Sequence, residues 1–174
     1  MKQSFLMIVK REIEITPKSV VLDGKAIEVN EVGDKMLVEL YRRFAGNYPK
    51  FFKMDTLSRL GFIAAEMLQP RVDAVILANR SASIKNDRDY LETITNGNYY
   101  PSPALFVYTL PNIVTGEIAI RHNIQGETAC YILENPEELE PILRSTPFTT
   151  ALAGWCECSG PIEYYAKIQI IWKN

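Results

Sequence analysis

Histidine, cysteine, excess charge and long apolar runs are all scarce in this chain of 174 residues, and each scarcity removes a class of function. One histidine, His122, and three cysteines, Cys130, Cys156 and Cys158, hold no Cys-x-x-Cys pair and no second imidazole at zinc-ligand spacing. No metal and no other cofactor is expected. Nineteen basic against 21 acidic side chains leave a formal net charge of −2, which offers no bulk attraction to phosphate backbones or anionic bilayers. Nucleic acid and membrane are therefore not expected as partners. No apolar run approaches the roughly 18 residues that cross a bilayer, and the one near the N-terminus, Phe5 to Val9, stops at Lys10 and Arg11. A cytoplasmic protein without a signal peptide is expected. Gly116 and Gly126 stand isolated, so no Gly-rich phosphate loop exists, and there is no Gly-x-Ser-x-Gly elbow.

What is present is the composition of an ordinary globular protein, 47% apolar and 23% charged, long enough to bury roughly two-thirds of its unfolded surface without staples. The Ile- and Val-rich run from Leu6 to Ile15 predicts a strand. Asp23-Gly24, between Val20-Val21-Leu22 and Ala26-Ile27, predicts a hairpin over 19–29. Asp34 is expected to cap a helix carrying Met36, Leu37, Leu40, Tyr41 and Phe44, which Gly46-Asn47 stops. Asp55 is expected to cap the next, whose apolar stripe from Leu57 to Leu68 ends at Gln69-Pro70.

Residues 73–78 read as a strand covered on both faces. The polar loop Asn79 to Ser83 then falls at its carboxyl end, where open α/β sheets place ligands, with a purely structural loop as the alternative. A short helix is expected from Asp87 to Thr95 and a turn over 96–101. Ser102-Pro103 should open a helix from Ala104 to Leu110, and helical spacing resumes from Ile113 to Asn123 after Pro111. A strand from Glu127 to Leu133, a helix from Pro136 to Leu143 opened by Asn135, and strands from Thr149 to Cys158 and Tyr164 to Trp172 complete the reading. No repeat or linker divides the chain, so residues 1–174 read as one domain.

Little catalytic chemistry is on offer. His122 reads as a charged or hydrogen-bonded group at a helix end, Cys156 and Cys158 as reduced thiols on one strand face, and Asp87 with Asp89 as solvated carboxylates. Cys130 is the one candidate nucleophile. An activated thiolate wants a helix N-terminus and a neighbouring base, but Tyr131-Ile132-Leu133 continue a strand.

Four segments then line up in order. Phe51-Phe52-Lys53-Met54-Asp55 precedes the helix from Ser58 to Glu66, and Pro101-Ser102-Pro103 precedes Leu110-Pro111-Asn112. Next come Gly116 to Ala119 with Gly126, then Ala151-Leu152-Ala153-Gly154, with Trp155 where a second glycine would stand. Over residues 50–158 their order and spacing resemble the N-terminal half of a β-ketoacyl synthase (3-oxoacyl-ACP synthase), in the thiolase-like superfamily. The resemblance implies an α/β fold, a thiolase-like half with a mixed β-sheet and helices on its faces. Counting from Gly126, it places the family's nucleophilic cysteine near Glu134-Asn135, where there is none. Alignment on Thr128-Ala129-Cys130 instead would offer Cys130. The family's other two catalytic residues lie in a C-terminal half that these residues do not include. By resemblance the strand at 127–133 pairs across a dimer axis, as a homodimer or a heterodimer with a full-length synthase, and an acyl carrier protein is a further partner. Three functions stay open. They are a non-catalytic subunit of a fatty-acid, polyketide or pigment condensing system, an acyltransferase using Cys130, and an unrelated thiolase-like binding module.

Overall fold

The computed structural model describes residues 6–174 except 96 and 98; the turn read at 96–101 lies partly outside the described residues. Strand β1 (Met7–Thr16) leads into β2 (Ser19–Leu22), and Asp23 and Gly24, at φ of 50° and 76°, turn the chain into β3 (Lys25–Ile27). Two left-handed residues match the twist of a hairpin, which explains why Asp-Gly works there. Helix α1 (Gly33–Phe44) corrects the expected cap: Val32 holds the capping position, extended at φ −131°. Asp34 lies inside the first turn, and its carboxylate accepts from Thr56 Oγ1 at 3.2 Å rather than from its own helix. After a 3-10 turn at Pro49–Lys53 comes α2 (Thr56–Leu68). Asp55 does cap this one, its Oδ1 accepting Ser58 N–H at 3.0 Å, and Gln69 ends it in the left-handed region.

All six residues of β4 (Ala74–Asn79) are buried. Helix α3 (Ile84–Thr95) starts earlier than Asp87 because the Ser83 carbonyl already accepts Asp87 N–H at 2.9 Å. Ser102 caps α4 (Pro103–Val107), which stops short of Leu110 as Tyr108 and Thr109 turn their N–H groups to carbonyls three residues back. Helix α5 (Ile113–His122) leads to β5 (Thr128–Ile132). The helix expected over 136–143 divides into a 3-10 turn, Pro136–Glu138, and α6 (Leu139–Ser145). Two long strands, β6 (Thr150–Gly160) and β7 (Glu163–Lys173), close the fold.

The sheet runs in the order β3-β2-β1-β7-β6-β4-β5. Strands β5, β4 and β6 are mutually parallel and the other pairs antiparallel, so the expected mixed sheet with helices on its faces is found. One face packs Ile13, Ile15, Val75, Leu77, Leu152 and Ile168 under α1, α2 and α5. On the other, Leu139 and Leu143 of α6 pack with Ala74, Ile76, Ala78, Ala151, Ala153, Trp155 and Ile171. Across β7 and β1 that second face mixes apolar Met7, Tyr165 and Ile171 with a polar cluster in which Lys167 and Gln169 meet Glu12.

Candidate functional site

Strands β4 and β5 end together, at Asn79 and Ile132, while β6 runs on to Gly160, and the site lies at those carboxyl ends. Strand β4 stops at Asn79, whose side chain closes the following loop by accepting Ala82 N–H at 3.0 Å and donating to Ala82 O at 3.2 Å. Ala82 sits at φ 49°. The loop's free amides, which could have held an anion, point at a protein carboxylate instead. Glu157 of β6 accepts Arg80 N–H at 2.7 Å and Ser81 N–H at 3.2 Å. Ser83 then donates to Thr109 O at 2.6 Å and Asn86 to Leu105 O at 2.6 Å, which ties α3 to α4.

Strand β5 ends beside Asn79, where Leu133 N–H donates to Asn79 O at 2.9 Å. Glu134 and Asn135 follow, at the position the resemblance gives to the nucleophile. Asn135 N–H donates to Glu138 Oε1 at 2.9 Å, so the turn is capped by its own glutamate. Cys130 stands elsewhere. In the parallel register Cys130 is level with Leu77, under α2 and α5, whereas Tyr131 is level with Ala78, on the face of α6. The Cys130 thiol is half-buried, and burial, followed by the Glu157 charge, pushes it up to about 11. A thiol so shifted is protonated at neutral pH and a poor nucleophile.

His122 ends α5, one short loop before β5, and so lies at the amino end of the parallel strands. The close packing of Gly126 against Asp73 O, just ahead of β4, fixes that loop. Its Nε2 is 3.2 Å from Glu66 Oε1, off the direction of a hydrogen bond. The buried Glu66 carboxylate is held by Arg121, with Nε at 2.8 Å and Nη2 at 3.1 Å. Sequence patterning passed over Glu66, Glu117 and Glu157 because each falls inside an apolar element and carries no motif of its own. Glu117 is buried against Lys50 Nζ at 2.5 Å. Cys156 and Cys158 are buried free thiols whose ionisation burial opposes. Among the described residues no group of His, Cys, Asp and Glu could hold a metal ion, and no helix is long and apolar enough to cross a membrane.

No protein-family model matches the sequence, and no curated protein does so. Solved structures do match. The ketosynthase ApeO in complex with its chain length factor ApeC, from Xenorhabdus doucetiae, matches at a TM-score of 0.62 and 12% identity, over 97% of this chain and 79% of that one. The ishigamide ketosynthase/chain length factor matches at 0.60 and 16%, over 95% of this chain and 62% of that one. The fold is thiolase-like, as in β-ketoacyl synthases. The first match pairs chains of comparable length, while this chain spans less than two-thirds of the second.

Proposed function

We propose that the chain is a non-catalytic, β-ketoacyl-synthase-like subunit that folds as one unit and joins a synthase-like partner in a condensing system. One observation carries the reading: where the resemblance puts the nucleophile, at the carboxyl end of β5, Glu134 and Asn135 stand over a turn capped by Glu138. Cys130 is level with the opposite face, its thiol pushed up by burial, and His122 lies at the other end of the sheet. Nucleophile, base and oxyanion donors act as a unit, so separated members supply little rate. Both matched structures are of ketosynthases with chain length factors, which favours a heteromeric assembly acting on acyl chains in the cytoplasm, with substrate brought by an acyl carrier protein.

The pairing element in this reading is β5, which among the described residues has β4 on one side and no strand on the other. The test is intact-protein mass spectrometry after incubation with acyl-CoA and acyl-carrier donors, wild type beside Cys130→Ala. No adduct is expected. A stoichiometric acyl adduct absent from the variant overturns the reading in favour of an acyltransferase using Cys130. Co-expression with a ketosynthase then tests the assembly, and failure to co-purify would favour a stand-alone binding module.

A further inference from the structure

We infer that the slot between α6 and strands β6, β7 and β1 is a binding site for an uncharged aliphatic chain, such as a long-chain alcohol or ester. It lies on the sheet face away from Cys130 and off the β5 edge, so it goes beyond the subunit reading and does not depend on it.

The slot follows from widths. Strands lie about 4.8 Å apart and a helix with its side chains is about 10–12 Å across, so one helix roofs roughly two strands. Helix α6 sets Leu139 and Leu143 down on β4 and β6, and among the described residues no helix stands beside it over β7 and β1 on this face. Ala153 and Gly154 of β6 add little bulk to the floor between Trp155, Tyr165 and Ile171. What remains is a cavity of about 450 Å³, with Met7 and Val9 at the Ile171 end. Spread over the roughly 20 Å from Tyr165 to Ile171 at the rise of a strand, that volume has a cross-section of about 22 Å², far below the roughly 80 Å² of a helix. A second helix does not fit; one extended hydrocarbon chain does. Mostly apolar cavities of this size are the usual form of a small-molecule site.

The polarity of the occupant is fixed by the charges in the lining, which are Glu140, Arg144 and Lys167. Each is matched inside the protein. Arg144 donates to Glu140 at 3.0 Å and 2.6 Å, and Lys167 stands 3.8 Å from Glu12, which also accepts from Gln169. An ionised head group therefore finds no charge of its own to pair with among the described residues. A carboxylate would meet Glu12 and Glu140, and an ammonium would meet Lys167 and Arg144. Burying a charge without a partner is costly. An uncharged chain avoids that cost, and each of its methylenes that leaves water against Leu139, Leu143, Trp155 and Ile171 tightens binding by roughly fourfold.

Fluorescence reports on the slot directly. The chain has two tryptophans, and Trp172→Phe leaves Trp155, in the lining, as the only one. Titration of that variant with 1-hexanol, 1-octanol and 1-decanol should give a saturable 1:1 change in emission, with affinity rising by roughly fourfold per added methylene. Decanoate and decylammonium should bind at least about tenfold more weakly than decanol. Ala153→Leu fills the floor and should abolish the change. Val9→Glu sets an unmatched charge at the end of the slot and should weaken decanol at least about tenfold. Val9 is 49% exposed, so this second variant carries the test even if the first fails to fold, and an unchanged circular-dichroism melt would show that it is native. No saturable change with decanol, equal affinity for decanoate and decanol, or decanol binding untouched in a folded Val9→Glu chain overturns the inference. An acyl adduct on Cys130 would overturn the non-catalytic reading and leave this outcome untouched.

Discussion

At Gly154 the backbone of β6 adopts φ +154°, and a Cβ built there would stand 2.1 Å from Lys167 O and 2.8 Å from Ile168 Cα. Both are main-chain atoms of the neighbouring strand β7, so neither can swing aside as a side chain would. Gly154→Ala is expected to cost about 2–4 kcal/mol by forcing β6 and β7 apart. The check is a urea melt, with a lower midpoint at unchanged slope; an unmoved midpoint would mean that the ladder yields freely. Asp55 poses a different balance at the start of α2. Burial raises its carboxyl above the ordinary 3.8, and the hydrogen bonds from Ser58 oppose that rise without cancelling it. The folded chain thus holds this proton to higher pH than the unfolded one. Its contribution is fully present below the ordinary value and is lost as pH rises through the raised one. Asp55→Asn keeps an acceptor for Ser58 and removes the titration, so its stability should fall less than that of wild type as pH rises from acid to neutral. Asp55→Ala loses the acceptor and should cost about 1 kcal/mol. Parallel slopes for wild type and Asp55→Asn across that range would refute the assignment.

Among the elements, β5 is an edge strand paired on one side alone among the described residues. Hydrogen exchange should find the outward amides of Thr128, Cys130 and Ile132 exchanging fast in the isolated chain, while Ala129 and Tyr131, paired with β4, are protected. A bound partner strand should slow the first set and leave the second nearly unchanged; equal protection of both sets in the isolated chain would mean that the edge is already covered. Elements with strong local chemistry were legible in the sequence. The Asp-Gly hairpin, the Asp55 cap and the alternating β7 all stand where their residues place them, because turn type, cap and period are local properties. Boundaries decided by context were not. Asp34 was drawn to Thr56, twenty-two residues away, and α4 ended early as its last amides took nearer carbonyls. The candidate site was legible in part. The apolar runs at 73–78, 127–133 and 149–158 located β4, β5 and β6, yet the plug that Glu157 forms under Arg80 and Ser81 joins residues 76 and 77 positions apart. No spacing rule reaches that far.

At the scale of the whole molecule, the first and last strands meet in the middle of the sheet. Strand β1 pairs with β7 from Met7 opposite Lys173 to Ile15 opposite Ala166, and Asn174 N–H donates to Leu6 O at 3.2 Å. Their inward residues Ile13, Ile15, Ala166 and Ile168 are fully buried, so the main core cannot close until both ends of the chain are present. Pairing residues so far apart in sequence demands loop closure before any contact rewards it, and chains dominated by such pairings fold slowly. The fold should therefore form as one cooperative step limited by the β1–β7 ladder. A circular permutant tests this directly. Joining Asn174 to the N-terminus and opening the chain between Tyr99 and Tyr100, both highly exposed, turns the β7–β1 pair into a local hairpin. The same side chains stay buried, so the urea midpoint should move little. Refolding should accelerate by roughly fivefold or more, because the longest loop closure has been removed while the sheet order is unchanged. Stopped-flow fluorescence gives the rate. A permutant of equal stability that refolds no faster than the natural chain would show that the rate-limiting step lies elsewhere, with the parallel pairing of β4 to β5 and β6 as the remaining long-range event.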